Sequence, residues 1–436
     1  MRSGGLTRAA ARSQEAMVLD VVDVGSNSPS DVSSDPVSEF YTRHPYPPPV
    51  ANLDRARDEW RDEARHRAEF HLMWPRQRYR ADLDILVAGC GTWQAAKYAL
   101  CWPAARVVGI DVSTTSIEHT AKLKQQYDLT NLELRQLALE RAGELDRRFD
   151  LIVCTGVLHH LADPDAGLRA LRSVLEPDGA IYLMVYAPYG RAGVYMLQDY
   201  CRRLGLGTSD REIRDLVTTL EALPQSHPLV TLLHGSRDAH NPDALADALL
   251  NPRDRSYSVP QLFALLDRNG LTFGRWYWQA PYLPQCGAIA ATPHAHPLAT
   301  LPQRDQYAAM ELWRGTMSSH SAVIYRSDAS ESDVRPRLGG ERWLEHVPHR
   351  LPWTRLVQER LPRGAAGVLL NRSHPYHDLV FILGAEDRQL FEGIDGRRSI
   401  AEIAGCARGA GRGRVRTLFE MLWRYDQVVF DASNAT

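Results

Sequence analysis

The sequence predicts a doubly wound α/β domain built on a mostly parallel, seven-stranded sheet, and three observations predict it. From Asp84 onward, short apolar runs are continuous rather than alternating, helical stretches separate them, and a Gly-x-Gly turn joins the first run to its helix. Continuous apolar strands belong to a sheet covered on both faces, and the intervening helices supply the covers.

In chain order, residues 1–37 are rich in Ser, Asp, Gly and Ala without an apolar period and are expected to form a disordered lead-in. A strap follows over residues 38–80. Its Phe40–Pro49 segment carries three successive prolines, which predicts an extended polyproline-like path, and a charged helix is expected over about Leu53–Trp74. The core spans residues 81–190, with strands at Ile85–Ala88, Arg106–Ile110, Leu132–Arg135, Leu151–Cys154 and Ala180–Tyr186. Helices fall between them at Gln94–Leu100, Thr115–Tyr127 and Asp165–Leu175, the last stopped by Pro177-Asp178-Gly179. Residues 191–255 read as proline-interrupted helices, an expected helical cap insertion. Residues 256–327 complete the core with a helix at Gln261–Arg268 and strands at Thr272–Trp278 and Val323–Tyr325. A linker at 328–340 leads to a C-terminal domain at 341–436, where three short helices closed by a strand suggest a small winged-helix-like module.

Composition narrows the class further. The chain has 436 residues, 44% hydrophobic and 24% charged, which is globular composition with enough apolar surface for two or three cores. The longest uninterrupted apolar stretch, Ala180–Ala187, falls far short of the roughly 20 residues that cross a bilayer. The run Met17–Val24 is broken by Asp20 and Asp23, so no secretory signal forms, and a cytoplasmic protein without a membrane partner is expected. Six cysteines are scattered without a Cys-x-x-Cys pair, and the histidines lack a convincing carboxylate or thiol set, so no metal site is expected. A net charge of −2 gives no nucleic-acid footprint.

The chemistry concentrates after the first strand, at Val87-Ala88-Gly89-Cys90-Gly91-Thr92-Trp93. Gly89 and Gly91 let a ligand approach the backbone, and the helix start adds free N–H groups and a positive dipole end. Twenty residues after Gly91 the second strand ends in Gly109-Ile110-Asp111, where a carboxylate can accept both hydroxyls of a ribose. A dinucleotide site would want a third glycine for its pyrophosphate, and Gln94 stands there, which favours an adenosine cofactor without one. Further on come Thr155-Gly156-Val157-Leu158-His159-His160 and Leu175-Glu176-Pro177-Asp178-Gly179.

In these four motifs, in this order, the chain resembles the class I S-adenosylmethionine-dependent methyltransferases, over residues 80–190 and more loosely to 327. The resemblance implies a Rossmann-like sheet, S-adenosyl-L-methionine as cofactor, and methyl transfer to oxygen or nitrogen of a small polar or peptidic acceptor. It also implies that Gly89, Cys90 and Gly91 line the methionine half, Asp111 holds the ribose with Val112 beside the adenine, Leu139 at the third strand end belongs to the cofactor site although the usual acid-small pair is missing there, and Thr155, Gly156 and Val157 close the pocket. Val87 replaces the family's usual acidic residue and Trp93 its third glycine, so Trp93 is expected at the cofactor pocket, where shaping it and obstructing it both stay open.

On the acceptor side, His159 and Tyr189 are the catalytic candidates; for His159 and His160 a base role and a packed, hydrogen-bonded role both stay open. Tyr41 and Tyr46 on the strap, Arg191 after the fifth strand, and Asp254, Arg255 and Tyr257 before the next helix are the substrate-binding candidates. A buried Asp254–Arg255 clasp is the competing reading. The C-terminal module is expected to serve dimerisation or peptide docking. The alternative function is an inactive methyltransferase fold whose tail binds nucleic acid or protein through Arg408, Arg412, Arg414 and Arg416.

Overall fold

The computed structural model describes residues 35–234, 241–329, 338–339, 342–406 and 411–435. Three helices precede the sheet: α1 (Pro36–Arg43), α2 (Asp54–Glu59) and α3 (Glu63–Met73). The core then alternates β1 (Asp84–Ala88), α4 (Gln94–Cys101), β2 (Arg106–Asp111), α5 (Thr114–Gln126), β3 (Leu132–Gln136), β4 (Phe149–Thr155), α6 (Pro164–Ser173) and β5 (Leu175–Tyr186). Four helices follow: α7 (Ala192–Leu204), α8 (Asp210–Leu220), α9 (Pro228–His234) and α10 (Pro242–Leu250). α11 (Val259–Arg268), β6 (Leu271–Trp276), α12 (Ala295–Thr300), α13 (Gln303–Arg314) and β7 (Ser319–Arg326) complete the domain.

The sheet order is β3-β2-β1-β4-β5-β7-β6, and only β7 runs antiparallel to its neighbours. Ile85, Leu86, Val87 and Ala88 of the central β1 are fully buried, which is why that strand reads as an unbroken apolar run. Val87, at the position of the missing acid, therefore belongs to the core. α5 and α6 begin where Ser113 and Asp163 accept the backbone N–H of Ser116 and Ala166, ordinary N-caps that set the loops at the carboxyl ends of the strands.

Four expectations about local structure need correction. Phe40–Arg43 is the last turn of α1, not extended chain, because Asp35 caps that helix, Pro36 sits in its first turn, and the prolines that forbid helix start only at Pro45. By the same token Pro36 and Val37 lie in a helix rather than in a disordered lead-in, whose residues 1–34 fall outside the described residues. The helix expected over Leu53–Trp74 is two, since α2 stops at Trp60 and Asp62 caps α3 by accepting the N–H of Ala64. α6 ends at Ser173, and Leu175 already pairs with Phe149 at the start of the sheet.

After the sheet the chain adds β8 (Val347–Arg350), β9 (Thr354–Val357), β10 (Gly367–Asn371), β11 (Val380–Leu383), α14 (Ala385–Glu392), α15 (Ile400–Cys406), α16 (Arg412–Arg424) and β12 (Val428–Asp431). The three helices and closing strand agree with the sequence reading. A β9-β10-β11 sheet and a β8-β12 pair do not figure in it. Ser399 and Glu402 form the expected capping box, each accepting the other's backbone N–H. This region shares the core of the sheet domain: Leu351 and Val429 join the cluster around β1, and Asp426 is buried while accepting from Arg275 at 2.9 Å and from the Ala280 N–H at 2.8 Å. Stripping one partner from such a buried pair costs roughly 3–5 kcal/mol, so the seam is fixed.

Candidate active site

The glycine loop turns as the sequence predicts. Gly89 and Gly91 have φ of +73° and +54°, a region side-chain-bearing residues avoid. A Cβ on Gly89 would sit 2.2 Å from Val157, and one on Gly91 would sit 2.9 Å from Pro47, so the loop is closely approached from β4 and from the strap. Asp111 ties it down: one carboxylate oxygen accepts the Gly91 N–H at 2.8 Å and the other the Ser113 N–H at 2.9 Å. Burial pushes the Asp111 carboxyl up while these amides pull it back. Each oxygen keeps a second lone pair, and the half-buried carboxylate stands at the strand end where ribose hydroxyls would need acceptors.

Around the loop, Val112 is half-buried, Cys90 is buried with its thiol pushed up by desolvation, and Leu139 lies in the core. Trp93 is half-buried, with the Lys97 ammonium 5.8 Å from its ring centre. Thr155, Gly156 and Val157 form a half-buried rim, and Gln94 donates to Thr155 Oγ1 at 2.8 Å across it. The loop, rim and acidic strand end fit an adenosine-bearing cofactor, and Gly156, whose Cβ would meet nothing nearer than Met184 at 3.8 Å, leaves that side open.

A second group of residues gathers beyond the rim. His159 is fully buried, stacks on Tyr186 with ring centres 3.9 Å apart, and has no partner for either ring nitrogen. Burial, with His160 and Arg191 adding to it, holds its pKa well below the ordinary histidine range, so it is neutral near pH 7. His160 turns one nitrogen to the Arg253 carbonyl at 2.6 Å and leaves the other unpartnered. The Arg191 guanidinium lies 3.6 Å over the Tyr186 ring and pairs with Asp254 at 3.1 Å, where Gln198 also donates at 2.8 Å.

The strap covers this group. Thr92 Oγ1 donates to the Pro47 carbonyl at 2.7 Å, Tyr46 lies within electrostatic reach of Tyr186, and Tyr41 packs edge-on to His160 at 5.8 Å. The Tyr41 hydroxyl donates to Asp247 at 2.6 Å and accepts from Asn251 at 3.1 Å. Burial and the Asp247 charge push its pKa well up, keeping it a donor.

Of the acceptor-side candidates, Tyr41, Tyr46, His159, Arg191 and Asp254 thus come together. Tyr189 is 44% exposed, Arg255 is exposed, and Tyr257 is buried in the core with its N–H on the Tyr186 carbonyl. Asp254 pairs with Arg191 and not with Arg255, which corrects the clasp reading: the carboxylate is turned inward, its side chain 1% exposed, while the exposed Arg255 hydrogen-bonds Tyr257. Residues the sequence reading passed over are Tyr186, Gln198 and Asp247. Asp247, a buried acid inside the apolar run Ala244–Leu250, was the legible signal among them.

Elsewhere, His71, His349 and Asp431 bring ligating atoms within 4.8 Å of one another at the seam of α3 and β12, where Asp431 already accepts from the Ser433 N–H and hydroxyl. In the tail, Arg414 pairs with Glu386 and Asp387 and Arg416 with Glu420, while Arg408 lies outside the described residues. No described helix is long and apolar enough to cross a membrane.

Comparison with known proteins agrees with this fold. The family described as "Methyltransferase domain" matches residues 86–181. An uncharacterized protein of Synechococcus is 30% identical over 252 residues, covering 54% of this chain and 58% of that protein. A ubiquinone biosynthesis O-methyltransferase of Neisseria meningitidis is 30% identical over 142 residues, covering 30% of this chain and 59% of its own length. The chain therefore spans less than two thirds of these curated relatives. Among solved structures, PKMT2 from Rickettsia typhi superposes with a TM-score of 0.58 at 16% identity, covering 87% of this chain and 75% of that one. Its complex with AdoHcy gives 0.57 at 15% identity, covering 84% and 73%. The match over residues 86–181 and the fold shared with PKMT2 lead to one conclusion: this region is an S-adenosylmethionine-dependent methyltransferase domain, with S-adenosylmethionine as its cofactor.

Proposed function

We propose that the protein transfers the cofactor's methyl group to an oxygen or nitrogen of a small polar or peptidic acceptor held between the strap and the His159–Tyr186–Arg191 group. The observation that carries this reading is His159: fully buried, neutral, and without a partner on either ring nitrogen, immediately after the Thr155–Val157 rim. A buried polar group left unpaired costs about 1–3 kcal/mol, a penalty that a bound acceptor's hydroxyl or amine would relieve.

When bound, the cofactor supplies a methyl group on a sulfonium centre, and displacement there is in-line. The protein's task is alignment and exclusion of water. Gly89, Gly91 and Asp111 are suited to hold the cofactor, with Gln94 and Thr155 bracing the rim. His159 takes the acceptor's proton as general base. Arg191 and Asp254 orient the acceptor through charge-assisted hydrogen bonds, and Tyr41 and Tyr46 close the strap over it. Tyr189, exposed beside Arg191, and Arg255 would contact only the outer part of a larger acceptor.

Two findings supply support beyond the site: the O-methyltransferase named among the relatives, and the pairing of Arg414 and Arg416 with acids, which weakens the nucleic-acid reading. The tail's winged-helix-like character, a role in dimerisation and a cytoplasmic location belong to the same proposal.

The test is His159→Gln. S-adenosylhomocysteine affinity by calorimetry should be unchanged, while turnover of an acceptor found by screening should fall at least a hundredfold. Equal turnover in the variant would remove His159 from the chemistry.

A further inference from the structure

Helices α3 and α4 turn polar stripes toward one space. On α4, Gln94, Lys97, Tyr98 and Cys101 recur at the spacing that lines up a helix's core face, yet that face carries an amide, an ammonium and a phenol. It lines a cavity of about 420 Å³, with α3 on the other side. The volume lies within the range of small-molecule sites. The hydrogen-bonded Gln94 and Thr155 also line it, so it adjoins the rim of the cofactor site.

Its walls are aromatic faces. Tyr182 and Tyr277 stack with centres 4.4 Å apart, Trp278 stands edge-on to Tyr277 at 4.7 Å, and Trp353, from the C-terminal region, stands edge-on to Trp278 at 4.6 Å. Such walls suit a planar ring. The charges decide what the ring carries. Arg65, held between Trp60 and Trp353, is paired with Glu59 at 3.3 Å. Glu69 is already engaged by the Tyr277 hydroxyl at 2.5 Å, and burial pushes its carboxyl toward the neutral form. Lys97 has no ion-pair partner among the described residues, although it is one of only three lysines in the chain. The cavity thus offers, beside stacked rings, one ammonium without an ion-pair partner among the described residues, within electrostatic reach of Glu69.

We propose that this cavity binds a planar aromatic carboxylate, its ring against Tyr182 and Trp278 and its carboxylate on Lys97. The site is separate from the Tyr186 group and does not depend on the identity of the methyl acceptor. Lysine provides a compact point charge on a flexible stem, which suits a carboxylate that must be reached across a cavity.

The full-length protein should be titrated with benzoate and, separately, with tetramethylammonium, following heat and tryptophan emission. Benzoate is expected to bind saturably and to change the emission, because Trp60, Trp278 and Trp353 line the space. Lys97→Met should weaken benzoate at least tenfold and Lys97→Arg should restore most of it, with S-adenosylhomocysteine affinity unchanged in both. The proposal is overturned if benzoate gives no saturable binding to protein that still binds S-adenosylhomocysteine, if Lys97→Met leaves its affinity intact, or if tetramethylammonium binds more tightly. Mutual exclusion of benzoate and S-adenosylhomocysteine would also overturn it, by making the cavity part of the cofactor site.

Discussion

Two regions flank the carboxyl ends of β4 and β5, and they are built on opposite principles. The Tyr186 group is packed and leaves polar atoms without partners: both nitrogens of His159, one of His160, the Arg191 Nε and one oxygen of Asp254. The cavity between α3 and α4 leaves space and pairs its acid and amide, Glu69 on Tyr277 and Gln94 on Thr155, while the Lys97 ammonium and the Arg65 Nε keep free donors. Unpaired atoms mark where a ligand's functional groups, or waters that a ligand displaces, can repay the desolvation. Open volume between aromatic faces marks where a ligand's body belongs.

The largest effect that would test the contrast is Asp254→Ala. It leaves the nearly buried Arg191 charge unpaired, and a loss of about 3–5 kcal/mol in urea unfolding is expected. A loss below about 1 kcal/mol would mean that solvent reaches the group and that it is not packed as described. Next, Asp111→Ala removes a charged acceptor that holds two loop amides, and S-adenosylhomocysteine affinity should fall about ten- to a hundredfold, or roughly 1.5–3 kcal/mol. An unchanged titration in folded protein would detach Asp111 from the cofactor.

The two regions should also respond oppositely to acid. His159 has its folded pKa depressed, so between that value and the unfolded value of about 6.5 the unfolded state binds more protons. Its contribution is complete above pH 6.5 and is lost on acidification at up to about 1.4 kcal/mol per pH unit. His346 and His349, lowered to about 4 and about 3 by burial at the tail seam, act in the same direction. Glu69 is raised, so its contribution is present below its unfolded value near 4.5 and lost as pH rises through the folded value. Melting temperatures across pH 4–8 should show a shallower acid limb for His159→Gln and a steeper one for Glu69→Gln. The same limb in both variants would show that neither group is buried as described. The smallest effect is Tyr41→Phe, which deletes the hydroxyl bonded to Asp247 and Asn251 and should cost about 1 kcal/mol by thermal melt. A negligible change would show that the strap is held by its other bonds, among them Thr92 on the Pro47 carbonyl and Ser113 on the Tyr41 carbonyl.

By itself the sequence determined the sheet and the cofactor rim, because both depend on local signals. β1 and β4 are central and read as apolar runs; Gly89 and Gly91 need positive φ; Asp111 sits one strand on, at the spacing the β-α-β unit imposes. Tertiary structure decided the acceptor side. Tyr41 on α1, Asp247 on α10 and Tyr186 on β5 are far apart in the chain and meet only because α1 packs between α5 and the α8–α10 helices, a contact no periodicity encodes. Asp254 could pair with its neighbour Arg255 or with Arg191 sixty-three residues away, and burial chose the distant partner. The cavity was equally out of reach, since Trp353 faces it only once the C-terminal region is clamped to β6 by Asp426 and Arg275. Local propensity fixes elements and turns, whereas the partners of long polar side chains are set by which buried positions the packed elements leave unsatisfied.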